Sequence, residues 1–221
     1  GIKPDYGEAY YELGMLYQGL EQNQDAVNAL ERAAHYLPKQ ADRIFFQIGM
    51  IYKKIGSFDK AIEALERAVK NNEEFVDAYY YLGWFYNWNR QFDKAIEAYE
   101  KVISLNPDYP DVYYNIGWAY GEMGEYLKAV KTFQRAIEKT PDDVDSYYAL
   151  GWVYGKLEDY EEAKKAFQET IRLEPDYIYA HYGLGVTFLA LGERSMALEE
   201  YKILKGLDQN IADLLFKQIY P

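Results

Sequence analysis

The chain has 221 residues, a formal net charge of −12 and no cysteine. Nucleic-acid and anionic-membrane binding both need clustered Lys and Arg, so neither partner is expected; the missing thiols exclude disulfides and thiolate metal sites. No apolar run approaches the roughly 20 residues of a membrane span and no signal-peptide pattern is found. A soluble protein without direct membrane insertion is therefore expected, the cytoplasm favoured over the periplasm.

The first six residues carry Pro4-Asp5-Tyr6, which matches Pro107-Asp108-Tyr109 and Pro175-Asp176-Tyr177 further on. Residues 1–6 are accordingly expected to be the remnant of a preceding repeat or linker in an excised fragment, with Gly1 left by a tag. A period then takes over. Gly14, Gly49, Gly83, Gly117, Gly151 and Gly185 are spaced 35, 34, 34, 34 and 34 residues apart. Ala26, Ala61, Ala95, Ala129, Ala163 and Ala197 follow their glycines by twelve residues each. An aromatic follows each glycine by three: Tyr17, Tyr52, Tyr86, Tyr120, Tyr154 and Phe188. A fixed period of this length denotes stacked units that contact mainly their neighbours. The units are read as 7–41, 42–75, 76–109, 110–143, 144–177 and 178–211, the first holding one extra residue near Pro38-Lys39-Gln40.

Within residues 76–109, Tyr79, Leu82 and Tyr86 recur at helix-face spacing, which predicts a helix over 76–89. Asn89-Arg90-Gln91 breaks it, where other units place Gly56, Gly124 and Gly192, suited to the positive φ of a helix C-terminus. Ala95, Ala98, Tyr99 and Val102 predict a second helix over 92–105, ended at Asn106-Pro107. Gly83 and Ala95 are expected to let the two helices approach closely. Residues 212–221, with Leu214, Leu215 and Ile219 on one face, read as a C-terminal capping helix that shields the last repeat.

Tyr113, Ile116, Gly117, Tyr120, Ala129, Phe133, Ala136 and Pro141 stand at the signature offsets of one unit. With this pattern six times over, residues 7–211 resemble the tetratricopeptide repeat family. The resemblance implies an all-α, right-handed α-α superhelix whose concave surface is lined by the first helix of each repeat. The departures are small: Glu73 and Gln209 replace the terminal proline, Thr170 and Leu204 the late alanine, and His181 the first aromatic.

Family pattern places the second, fifth, sixth, ninth and thirteenth residues of each repeat on that concave surface, among others. Here they give an Asp-Tyr-Trp row three times: Asp77/Tyr80/Trp84, Asp111/Tyr114/Trp118 and Asp145/Tyr148/Trp152, with Tyr81 and Trp88 beside the first. The tyrosines also suit packing against adjacent helices. Tryptophans in a row favour an interface, because they bury much area with few rotatable bonds. A protein or peptide segment with apolar and basic, or Pro-rich, character is the expected partner.

The resemblance also carries alternatives: a homo-oligomer, an oligomeric organelle-coat scaffold of the magnetosome-associated type, or the targeting region of a larger enzyme. Two ligand classes of the family are not expected. The fifth position has no Lys and the ninth no Asn for a carboxylate clamp, and Asn115 alone fits an asparagine ladder. His35 and His181 are far apart, and paired acids such as Glu161-Glu162 and Glu199-Glu200 read as solvated faces. No catalysis, cofactor or metal is expected.

Overall fold

Every alanine of the periodic series, from Ala26 to Ala197, has 0% of its surface exposed. Each sits where two helices meet, which is why the series tolerates nothing larger. The computed structural model describes residues 4–109 and 111–221. Gly1, read as a tag residue, lies outside the described residues. The helices are α1 (Pro4–Gly19), α2 (Asn23–Tyr36), α3 (Ala41–Lys54), α4 (Phe58–Asn71), α5 (Val76–Trp88), α6 (Phe92–Leu105), α7 (Val112–Glu122), α8 (Tyr126–Lys139), α9 (Val144–Lys156), α10 (Tyr160–Leu173), α11 (Ile178–Ala190), α12 (Arg194–Leu207) and α13 (Gln209–Ile219). There is no strand among the described residues. The fold is the all-α series of helix pairs that the period implies.

Two compact units are present, one ending at Tyr109 and holding α1–α6, the other holding α7–α13. In the first, each helix packs on the next in sequence. In the second the same neighbour packing runs from α7 to α13, and α7 touches α9, α9 touches α11 and α11 touches α13.

The role of the helix glycines differs from the one expected. A Cβ at Gly83 would lie 2.6 Å from the Tyr99 ring, and one at Gly117 would lie 2.7 Å from the Phe133 ring. At these two positions the glycine leaves room for a ring from the second helix of its pair; at Gly14 and Gly49 the neighbour is Leu30 or Leu65, with the carbonyl oxygen of Ala26 or Ala61 close behind. Between the paired helices the backbone turns left-handed at Gly56, Gly124 and Gly192, with φ of 72°, 77° and 79°. Where glycine is missing, Glu21, Arg90 and Glu158 adopt φ near the same region, at 60°, 57° and 60°. The turn geometry therefore belongs to the repeat and glycine only eases it. The extra residue of the first unit is absorbed in a 3₁₀ turn, Pro38–Gln40.

Pro4 opens α1, in a first turn where proline sacrifices no hydrogen bond. Two details correct the sequence reading. The capping helix starts at Gln209, because Asp208 accepts from the backbone N–H groups of Asn210 (2.8 Å) and Ile211 (3.1 Å). Its buried face is Ala212, Leu215 and Ile219, at i, i+3 and i+7, which turns Leu214 out to solvent. Glu200 is not on a solvated face. It is buried, with Oε2 at 2.6 Å from His181 Nδ1, while His181 Nε2 lies 2.7 Å from the Pro175 carbonyl oxygen. Its neighbour Glu199 does face solvent and pairs with Lys202.

Candidate functional site: an aromatic face on each unit

In the first unit, Asp77, Tyr80, Tyr81, Trp84 and Trp88 all lie on α5. Trp84 and Trp88, one turn apart, stack at 5.9 Å with an interplanar angle of 18°. Phe58 meets both from the side, at 6.1 and 5.5 Å. Trp88 is left 63% exposed. Lys53 Nζ sits 4.6 Å from the Tyr81 ring and 5.4 Å from the Trp84 ring, so these rings already hold a cation. Tyr80 is half-buried against Tyr99 and Tyr109, at 5.9 and 5.0 Å. The Tyr109 hydroxyl donates to Asp77 at 2.8 Å, which engages the carboxylate expected to meet a partner.

In the second unit, Asp111 caps α7 at φ 61°, a conformation that Asp and Asn tolerate better than most residues. Tyr114 and Trp118 follow one turn apart on α7, while Asp145, Tyr148 and Trp152 lie on α9. The structure brings Trp118 and Trp152 together as a stack, 6.0 Å between centroids and 27° between planes. Trp152 also lies against Gly121, whose absent Cβ would be 3.1 Å from the ring. Trp118 stays 39% exposed. Lys156 Nζ is 5.4 Å from the Trp152 ring. Tyr148 packs on Phe167 and on Tyr177 (5.1 Å), and the Tyr177 hydroxyl donates to Asp145 at 3.3 Å.

Tyr114 packs on Phe133 at 5.9 Å. Burial first, then the charges of Asp145, Asp143 and Asp111, push its hydroxyl up to about 12. The tyrosines of the three rows are thus anchored in the core by one face. The tryptophans carry most of the open aromatic surface.

Tyr109, Tyr177, Lys53, Lys156 and Asp143 also shape these faces, and the sequence reading did not place them there. The recurring Pro-Asp-Tyr was a usable signal for the two tyrosines, but it marked only the ends of repeats.

Antiparallel helix pairs, each locked by a buried small residue and presenting an aromatic first helix, define a helix-pair repeat protein. Profiles of the tetratricopeptide repeat match residues 7–34, 42–75 and 144–177, and a TPR repeat profile matches 91–124 and 117–158. The chain belongs to the tetratricopeptide repeat family. No curated protein sequence matches it. Among solved structures it is similar to MamA, at 28% identity over 79% of this chain and 95% of that one, with a TM-score of 0.72. It also resembles YrrB, described as a TPR protein with an unusual peptide-binding site (20% identity, 86% and 99% covered, TM-score 0.71). A tetratricopeptide repeat protein from Parabacteroides merdae aligns over 97% of this chain and 86% of its own, at 16% identity and TM-score 0.78. The last two are distant enough to speak for the fold alone.

Proposed function

We propose that this chain is a non-enzymatic protein-interaction scaffold that binds a peptide or partner segment on its aromatic, acid-edged first-helix faces. The observation that carries this reading is the pair of tryptophan stacks, Trp84/Trp88 and Trp118/Trp152, which leave Trp88 63% and Trp118 39% exposed. Flat aromatic surface held open by a rigid helix suits an interface anchor. That YrrB carries a peptide-binding site adds support at the level of the fold. The test is panning of a random peptide library against the folded chain and against Trp84→Ala/Trp118→Ala/Trp152→Ala. Peptides selected by the parent are expected to weaken about tenfold or more on the variant. Equal binding to both would remove the aromatic faces from the site.

A second reading, self-association, is favoured by α1. Leu13 and Leu16 are 37% and 58% exposed, whereas the residues at the position of Leu13 in the other repeats (Ile48, Leu82, Ile116, Leu150, Leu184) are at most 7% exposed. An apolar stripe buried everywhere else in the array is a surface for a neighbour. The sedimentation coefficient is expected to rise with protein concentration, and Leu13→Glu/Leu16→Glu to abolish that rise. A concentration-independent value for the parent chain would eliminate this reading.

A further inference from the structure

The three Asp-Tyr-Trp rows are not equivalent, and the difference lies in one position of the repeat. Residues 75, 109, 143 and 177 occupy the same place, and read Phe, Tyr, Asp and Tyr. Three of them cover the tyrosine or phenylalanine of their row with a ring in nearly one geometry. Phe75 lies 5.0 Å from Phe46 at 37°, Tyr109 lies 5.0 Å from Tyr80 at 36°, and Tyr177 lies 5.1 Å from Tyr148 at 34°. In the row of Tyr114 the same position is Asp143, which carries no ring. The same replacement removes the hydroxyl that engages Asp77 and Asp145 in the other rows.

Asp143 is held by the hydroxyl of Ser146, a buried residue. No lysine or arginine among the described residues forms an ion pair with Asp111, Asp143 or Asp145. The three carboxylates are also not gathered closely enough to hold a metal among the described residues. One turn further along α7, Trp118, 39% exposed, stacks on Trp152.

We infer that the α7/α9 face docks an arginine-bearing peptide segment, its guanidinium meeting the half-buried Tyr114 ring, which lacks the ring partner of the other rows, beside the carboxylates of Asp111 and Asp143, and its stem lying on Trp118. The inference rests on the reading of these faces as peptide sites and names the side chain they select. Charge complementarity chooses a cation. The combination of aromatic surface with nearby carboxylates chooses arginine over lysine, because a planar guanidinium stacks and donates in its own plane at once. Lys53 on a ring of α5 and Lys156 on a ring of α9 show that this kind of aromatic surface accepts a cation.

The experiment is library panning on the full chain, followed by affinity measurement of a selected peptide and of its Arg→Lys and Arg→Gln forms. Two variants test the subsite. Asp143→Tyr restores the ring that two other repeats carry at this place. Asp111→Asn keeps a residue that accepts positive φ while removing the charge. Circular dichroism checks that both are folded. Arginine is expected to be enriched in peptides selected by the parent, and each variant to weaken the selected peptide about tenfold and to lose the preference over Gln. Selected peptides without arginine, or an arginine preference unchanged on both variants, would overturn the inference and leave the peptide-site reading intact. Equal enrichment of lysine would overturn the guanidinium assignment. A library that yields no binder would overturn both.

Discussion

Replacing Phe133 with alanine is expected to destabilise the second unit by about 3–5 kcal/mol, the usual cost of removing a large buried ring. Phe133 is 1% exposed and fills the space above Gly117, among Val130, Leu150 and Val153. Glycine has no side chain to relax into the void, so the cavity should persist. The partnership predicts a sign change that a generic core mutation would not give. Gly117→Ala alone places a Cβ 2.7 Å from the ring and must displace it, so it should destabilise despite alanine's better helix propensity. In the Phe133→Ala background the same substitution finds empty space, and should stabilise by up to about 1 kcal/mol. Urea unfolding of the four proteins closes a double-mutant cycle. If Gly117→Ala is equally destabilising in both backgrounds, the glycine serves something other than the ring.

This glycine-ring pairing shows how far the sequence reaches. The period of the small residues is visible along the chain because every unit meets the same constraint: a second helix must pass close by, and a side chain as small as alanine's allows it. Helix ends within the pairs follow from the same repetition. What fills the space beside each glycine was harder to see, since Leu30, Leu65, Tyr99, Phe133 and Phe167 differ in size and serve the same purpose.

The site shows the same division. The tryptophans could be placed on one helix face by counting. That Tyr109 returns to Asp77, and Tyr177 to Asp145, joins residues 32 apart through a loop whose course local periodicity does not record. Glu200 was misread for a different reason. It stands three residues after Ala197 and four before Leu204, on the buried stripe of α12. Other repeats put Ala64, Ala98 and Ala166 at its place, all buried. A charge there required a buried partner, and His181, standing where other repeats have an aromatic, supplied it.

That pair leads to a pH dependence with a definite sign. Both nitrogens of His181 face oxygen atoms, Glu200 Oε2 at 2.6 Å and the Pro175 carbonyl at 2.7 Å. Neutral imidazole has one N–H and can satisfy one of them, whereas the imidazolium satisfies both. The hydrogen bond to Glu200 therefore raises the His181 pKa most, burial opposes it, and the Pro175 carbonyl with the charges of Glu200 and Asp176 adds to the rise. A folded-state pKa above the unfolded value of about 6.5 means the stabilisation is complete below that value. It is lost as pH rises through the folded pKa. The urea midpoint of the second unit is thus expected to fall as pH rises from about 6.5 through the raised folded-state value. Glu200→Gln keeps the shape, removes the charge and should flatten that slope. Glu200→Ala leaves a buried imidazolium without its partner and should cost about 3–5 kcal/mol on the acid side of the transition. The cost should shrink as pH rises, because neutral His181 no longer needs the carboxylate. Identical slopes for the parent and Glu200→Gln would show that the contact with Glu200 does not link His181 titration to folding. A downfield-shifted titration of the His181 ring by NMR, lost in Glu200→Gln, would confirm the link at the residue itself.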